Sequence, residues 1–526
     1  MIAFDLQRPA NFDAAIANGL EETGMQWPGA SMPLRSKIRF LLGFQGAAAL
    51  GVNLVFCPSA HAQSNVHHGV VYYSPPAVDS TVIRLTTERY EMGLIGLKQY
   101  PQDAHDILER RPGFEWFTYN SVFDNYVSGP EVEEDDLITT VAAAHGWDHE
   151  EAYMHFYDDT YVTLQGNTVF VPGWEGGSAT DPSQARVPVY YSNLSRRLVN
   201  FSTYRAQQLN KEVFVALDLD APAPGYDFYA DGLFLDNSSY RLSSYGTIVS
   251  GGHVHETPDH SLIGSAAFQT WYWANNLRPF LVALKDTLQT SAAWSGDGKR
   301  KYSMINVSAY WTDDYYNYDT ADIINTEFQY DPIRTAGPSE IQNVYNDDAA
   351  AAAVGIRTFN MPLMTKNYGG YSISYGDALL GSLAWHLATR TEDSILMLYG
   401  NHTSPSEAGW DTLTWRGCVD VVDDQLGEAV GSPYQFANGT DPLGRTYRVW
   451  GRDYDNGLVL VRPRYRSDDG IEPETAVTVP LSSPLAPVSP GGKIGLASPS
   501  VTLRNGGAAI LLGDVGGRKE RPPRSR

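Results

Sequence analysis

The chain has 526 residues, 43% of them hydrophobic, and a formal net charge of −23 at neutral pH. That is ample for a large core and too long for one ordinary domain, so a barrel of roughly 250–400 residues with an appended module is expected. Such acidity excludes a nucleic-acid or anionic-membrane partner, because neither phosphate neutralisation nor surface attraction would be favourable.

Taken in chain order, the first recognisable feature is an export-type signal. Arg35, Lys37 and Arg39 form a basic region, residues 40–56 an apolar stretch, and Ala60-His-Ala62 a small-x-small cleavage site, leaving Gln63 as the first mature residue. Residues 1–31 show no clear pattern, so Met32 is an alternative start and residues 1–62 read as an extension plus signal. A lipid anchor on Cys57 is disfavoured by Phe56 before it and Pro58 after it. The mature protein is therefore expected to be secreted or periplasmic and monomeric, without cofactor or metal. With Cys57 removed, Cys418 stands alone, which leaves no intrachain disulfide and no thiolate metal cluster.

From there short β-rich runs alternate with helical patterns, the rhythm of a parallel α/β sheet. Strands are expected at 92–96, 114–120 and 152–157, then 187–191, 213–219, 232–236, 302–307, 321–327, 356–361 and 394–399. Helices are expected at 103–111, 136–145, 196–210, 262–292, 339–354 and 378–389, the fifth containing a run of alanines that favours helix strongly. Residues 161–172, with Gly166-Asn167 at the centre, read as a hairpin on the rim. The fold class is thus a (β/α)8 barrel over residues 63–429. From about residue 430 helical periodicity gives way to short strands at 447–450, 457–461, 476–479, 500–503 and 508–512. These mark a C-terminal β-sandwich over 430–515, and the basic residues 516–526 are expected to be a disordered tail.

The chemistry should lie where buried parallel strands end. In Ala230-Asp-Gly-Leu-Phe-Leu-Asp-Asn-Ser-Ser239 the two acids sit at opposite ends of a strand, about 16 Å apart, so they cannot share a site. Asp236 lies at the exit and is the candidate; Asp231 is left to the preceding turn. A second run, Ala321-Asp-Ile-Ile-Asn-Thr-Glu-Phe328, ends the same way with Glu327. Two carboxyl groups on strand ends fit glycoside hydrolysis, with Asp236 as nucleophile or charge stabiliser and Glu327, beside an apolar neighbour, as general acid/base. Tyr119, Asn120, His155, Asn237, Asn306, Tyr310 and Trp311 are candidate substrate-binding residues. Aromatic residues make up 12% of the chain, and the polar run 310–318 reads as a cleft loop. His253, His255, Glu256, Asp259 and His260 invite a metal reading, but they lack the helical His-Glu-x-x-His arrangement and a solvated or substrate-contacting loop is favoured.

Residues 231–237, the Asn306 and Glu327 strands, and Trp450-Gly-Arg-Asp-Tyr-Asp-Asn-Gly-Leu-Val-Leu-Val461 together resemble secreted bacterial glycoside hydrolases with a (β/α) barrel, the group labelled hypothetical glycosyl hydrolase family fifteen. The resemblance spans residues 90 to 513 and implies the same barrel, reaction class and roles for Asp236 and Glu327. Arg462 departs from it, standing where such proteins usually have Asn before Pro. The expected activity is endo-acting hydrolysis of a polysaccharide or oligosaccharide. A non-catalytic carbohydrate-binding barrel is the alternative, and a polysaccharide lyase using Tyr119 or His155 a third reading.

Overall fold

The computed structural model describes residues 67–71, 84, 87–88, 90–94, 100–126, 133–156, 161–164, 167–170, 187–188, 196–220, 222–236, 238, 253–263, 265–290, 295–307, 318–327, 340–364, 367–368, 371–397, 399–400, 412–464 and 475–513. The signal-type segment, Asn237, Tyr310, Trp311 and the basic tail lie outside them. Residues Asn65–Arg526 form one unit, distinct from Met1–Ser64.

Eight parallel strands close into a barrel. They are β1 (His67–Val71), β2 (Met92–Leu94), β3 (Glu115–Ser121), β4 (Gly232–Asp236), β5 (Tyr302–Asn306), β6 (Ile323–Glu327), β7 (Arg357–Met361) and β8 (Ser394–Leu396). Each pairs with its neighbours in chain order, and β1 closes against β8. Strand alternation divides their side chains between two cores. Phe117, Phe234, Met304, Ile323, Phe359 and Ile395 fill the lumen with Met92, Leu94, Met361 and Met397. Trp116, Leu233, Leu235, Ile305, Ile324 and Leu396 point the other way, into the shell of helices.

Two glycines are required by close approach inside this wall. A Cβ on Gly69 would meet the Phe359 ring at 2.2 Å, and one on Gly232 would meet the Tyr302 carbonyl at 2.3 Å. At the N-terminal end the barrel is tied shut. Arg357 pairs with Glu115 at 2.8 Å and lies over the Tyr302 ring, 5.9 Å from its centroid. Asp231 Oδ2 accepts the Trp116 N–H at 2.8 Å, and Asp322 Oδ2 accepts the Ser303 N–H at 2.9 Å. Burial raises the Asp231 pKa against that backbone bond. The turn role expected for Asp231 is thus filled by pinning β4 to β3.

The outer layer includes α1 (Pro101–Arg110), α2 (Glu133–His145), α3 (Tyr204–Asp218), α4 (Arg278–Thr290), α5 (Glu340–Ala353), α6 (Tyr375–Thr389) and α7 (Thr412–Gln425). α1 opens on proline, which fits the first helical turn. Thr203 and Ser374 cap α3 and α6 by accepting the Ala206 and Asp377 N–H groups at 3.2 and 3.1 Å. Before α4 the helix runs through Ala266–Trp271 and a π-helical turn, Tyr272–Leu277.

Several local expectations are corrected. Residues 213–219 belong mostly to α3, because Ala206, Leu209 and Val213 form its buried stripe at helical spacing. Arg196–Leu198 is a strand paired with Asp124–Tyr126, not the start of a helix. Among the described residues of the runs 152–157 and 187–191, His155–Phe156 pairs antiparallel with Val187–Pro188, and neither pair joins the barrel. Both lie in the long connection between β3 and β4. The barrel instead takes β1, whose five residues HHGVV follow the signal too closely to stand out.

The C-terminal sheet is antiparallel, with β9 (Ala429–Thr440), β10 (Thr446–Tyr454), β11 (Gly457–Val461), β12 (Ala476–Pro487), β13 (Ser498–Arg504) and β14 (Ala508–Leu512) in the order β9-β10-β11-β14-β12-β13. β12 breaks register between Pro480 and Leu485; Leu485 still pairs with Ser498 of β13, and Ala486 and Pro487 pair with β14. It thereby folds one layer over the other, and Val477, Val479 and Leu503 meet Val449, Leu458, Leu460 and Leu511 in a small core. The opposite face, with Val459, Val461, Ile510 and Leu512, joins the main core against α6. This agrees with the expected sandwich. Arg462 lies inside the module, its guanidinium donating to the Thr475 and Leu503 carbonyls at 2.6 and 3.1 Å.

Candidate active site at the barrel mouth

Strand register sets one layer of side chains at the C-terminal end of the barrel. Asp236 is level with Ser121 on β3, Leu235 with Ile305 on β5, and Asn306 with Asn325 on β6. Asn325 is level with Phe359 on β7, and Phe359 with Ile395 on β8. The layer is therefore polar across β3–β6 and apolar across β7–β8. Such a division suits a ligand with hydroxyl edges and a flatter C–H face.

Asp236 is the centre of the polar half. The Tyr119 hydroxyl donates to its Oδ2 at 2.9 Å, and Asn306 Nδ2 donates to Oδ1 at 2.7 Å. An amide N–H can only donate, so this pocket complements a carboxylate anion. Tyr119 leans over Phe234 with ring centroids 6.0 Å apart and is 40% exposed, whereas Asn306 is buried. Asn325 donates to the Phe359 carbonyl at 2.9 Å, and its buried Oδ1 has no hydrogen-bond partner among the described residues. That oxygen is an acceptor a hydroxyl or water can take.

Glu327 ends β6, two residues beyond Asn325 and level with Met361. With the Asn306 strand between them, two strand spacings and two residue rises put the Asp236 and Glu327 Cα atoms about 11 Å apart.

The remaining sequence candidates divide. Asn120 is buried and alternates out of the lumen set that holds Phe117 and Tyr119. His155 is 1% exposed, with Nδ1 3.0 Å from Glu256 Oε1 and Nε2 3.0 Å from Glu150 Oε2. In the His253–His260 loop, His253 Nδ1 meets the His260 carbonyl at 2.6 Å, Asp259 takes the Ser261 hydroxyl at 2.6 Å, and Glu256 turns to His155. Among the described residues, the group with metal-ligand spacing is His105, Asp106 and Glu109 on α1, away from the strand exits.

Sequence reasoning passed over Asp124, a buried acid just past β3 that accepts the Ser121 hydroxyl at 2.6 Å. Its position three residues beyond a strand exit was the available signal. It also passed over Asp348, buried on α5 and bonded to Asn360 Nδ2 at 3.0 Å. Nothing in a helical Asn-Asp-Asp-Ala string marks an inward-facing acid.

Among solved structures, three similar chains are the following. A Family GH13_31 enzyme is 11% identical, covering 85% of this chain and 99% of that one, with a TM-score of 0.45. An Anoxybacillus alpha-amylase is 9% identical over 86% and 99% of the two chains, with a TM-score of 0.40. Alpha-galactosidase I from Mortierella vinacea is 9% identical over 86% and 98%, with a TM-score of 0.35. No protein-family model and no curated protein matches the chain.

Proposed function

We propose that the protein is a secreted glycoside hydrolase that cleaves a polysaccharide internally, with Asp236 and Glu327 as its two carboxyl groups. The reading rests chiefly on Asp236. It stands at a strand exit of a closed parallel barrel, where such enzymes do their chemistry, and is held by two donors in a form suited to opposing positive charge at a sugar carbon. Glu327, two strands along the same rim, then protonates the departing glycosidic oxygen and activates water afterwards. Met361 and Met397, where β7 and β8 end, make that side of the mouth apolar. The resemblance to hypothetical glycosyl hydrolase family fifteen and the export-type residues 35–62 belong to this reading.

The lyase reading is weaker, because the Tyr119 hydroxyl donates to the acid Asp236. Incubating the chain from Gln63 with a panel of neutral and acidic polysaccharides separates the readings. Hydrolysis releases new saturated reducing ends; unsaturated, ultraviolet-absorbing ends mean elimination. Retention on the polysaccharides without any new ends means a binding barrel.

A further inference from the structure

His155 stands in the β3–β4 connection, and Glu256 in the segment between β4 and α4 that follows Asp236. Both connections leave the C-terminal end of the barrel, and they are tied to each other here. The His255 N–H donates to the His155 carbonyl at 2.8 Å, and the His155 N–H donates to Glu256 Oε2 at 3.1 Å. The imidazole completes the junction with Glu256 on one nitrogen and Glu150 on the other, both at 3.0 Å.

A neutral imidazole has one N–H, so it cannot donate to both carboxylates. We propose that His155 is a positioning residue held as imidazolium, a clamp that joins the two connections walling the mouth and releases them when its proton leaves. The surrounding charges place that proton on His155. Arg197 donates to both Glu150 oxygens, at 2.9 Å to Oε1, and keeps that acid ionised. His149 approaches Glu150 from the same 3-10 turn at 3.3 Å. From α2, Asp135 accepts the Tyr153 hydroxyl at 2.6 Å, while the Arg197 guanidinium covers the Tyr153 ring at 4.0 Å. The paired strand Val187–Pro188 brings no ionisable side chain.

Burial opposes charge on His155, yet its bonds to Glu150 and Glu256 hold its pKa above the ordinary histidine value of 6.5. The clamp is thus complete at and below that pH and lost as pH rises through the folded-state value. Above it, one carboxylate oxygen faces a nitrogen lone pair in a buried site.

Hydrogen–deuterium exchange across residues 253–263 of the full chain, corrected for intrinsic exchange rates over pH 5 to 9, tests the clamp. In the wild type the opening constant should be flat below the ordinary histidine value of 6.5, rise by up to about tenfold per pH unit above it, and level off beyond the folded-state value. Glu256→Gln gives neutral His155 an amide donor to accept from, so protection should persist and lose its pH dependence. His155→Phe should expose the segment at every pH. Wild-type protection that stays flat across the range, or a Glu256→Gln profile identical to wild type, overturns the proposal. Neither reading depends on which bond the enzyme cleaves, or on whether it cleaves one.

Discussion

Among the described residues Asp236 accepts from Asn306 and Tyr119, and these donors are not equivalent. Asn306 is buried and level with it across a strand pair, whereas the half-exposed Tyr119 reaches it from the far side. A hydrogen bond to a charged group contributes about 1.5–3 kcal/mol, and a tenfold rate change corresponds to about 1.4 kcal/mol. Tyr119→Phe and Asn306→Ala should therefore each lower kcat by about 10- to 100-fold, with Asn306→Ala the more severe. Steady-state kinetics on the cleaved polysaccharide checks this; a change confined to KM would mean that these residues bind substrate without setting the carboxylate.

Asp348 makes a separate prediction. Burial pushes its pKa from 3.8 up to about 7, despite bonds from Asn360 and Ser394. A folded-state value above the unfolded one means that its contribution is complete below about pH 3.8 and is lost as pH rises through about 7. Asp348→Asn keeps the Asn360 contact as a neutral amide. Relative to wild type, its Tm should improve steadily between these pH values and level off above them; a constant Tm difference would show that Asp348 is not protonated in the fold.

Among elements, α6 is the hinge between barrel and sheet. Its last carbonyls face β10 of the C-terminal module: Leu387 accepts from the Tyr454 hydroxyl at 2.7 Å and from Arg452 Nη1 at 3.2 Å, and Arg390 accepts from the same guanidinium. A cation at a helix C-terminus also opposes the negative end of its dipole. Arg452→Met removes the guanidinium from the Arg390 carbonyl and leaves Leu387 with the Tyr454 hydroxyl, and should cost about 2–3 kcal/mol in urea unfolding. The elements most legible in the sequence are those where one signal dominates. The strand Leu233-Phe-Leu235 is apolar throughout because both its faces are buried, and the turn acids and exit acids bracket it visibly. Val213-Phe-Val215 carries the same local signal but lies in α3, since its partners at Ala206 and Leu209 set a helical stripe that only packing reveals. His155 misled in a related way: polar residues after a short apolar run mark a barrel exit only if the run joins the barrel, and strand pairing decides that.

For the whole molecule, the apolar strands of the module and the helices of the barrel share one core. Covering α6 with β11 and β14 makes the two regions interdependent, so calorimetry should show one main transition that Arg452→Met shifts as a whole. Two resolved transitions, with only the smaller moved by the substitution, would mean that the module folds apart from the barrel. The antiparallel sheet was legible because helical periodicity gives way to short strands between turns late in the sequence. The pairing of Asp236 with Tyr119 was not, because 117 residues separate them and only the parallel pairing of β3 with β4 across a long connection brings them together.

The central claim is that Asp236 and Glu327 act together at this mouth. Asp236→Asn and Glu327→Gln, assayed for reducing-end release on a polysaccharide that the wild type cleaves, test it most directly. Each should lower turnover by about a thousandfold or more while leaving Tm near that of the wild type. Near-normal turnover by both variants would contradict the assignment and leave the strand-end acids as scaffold.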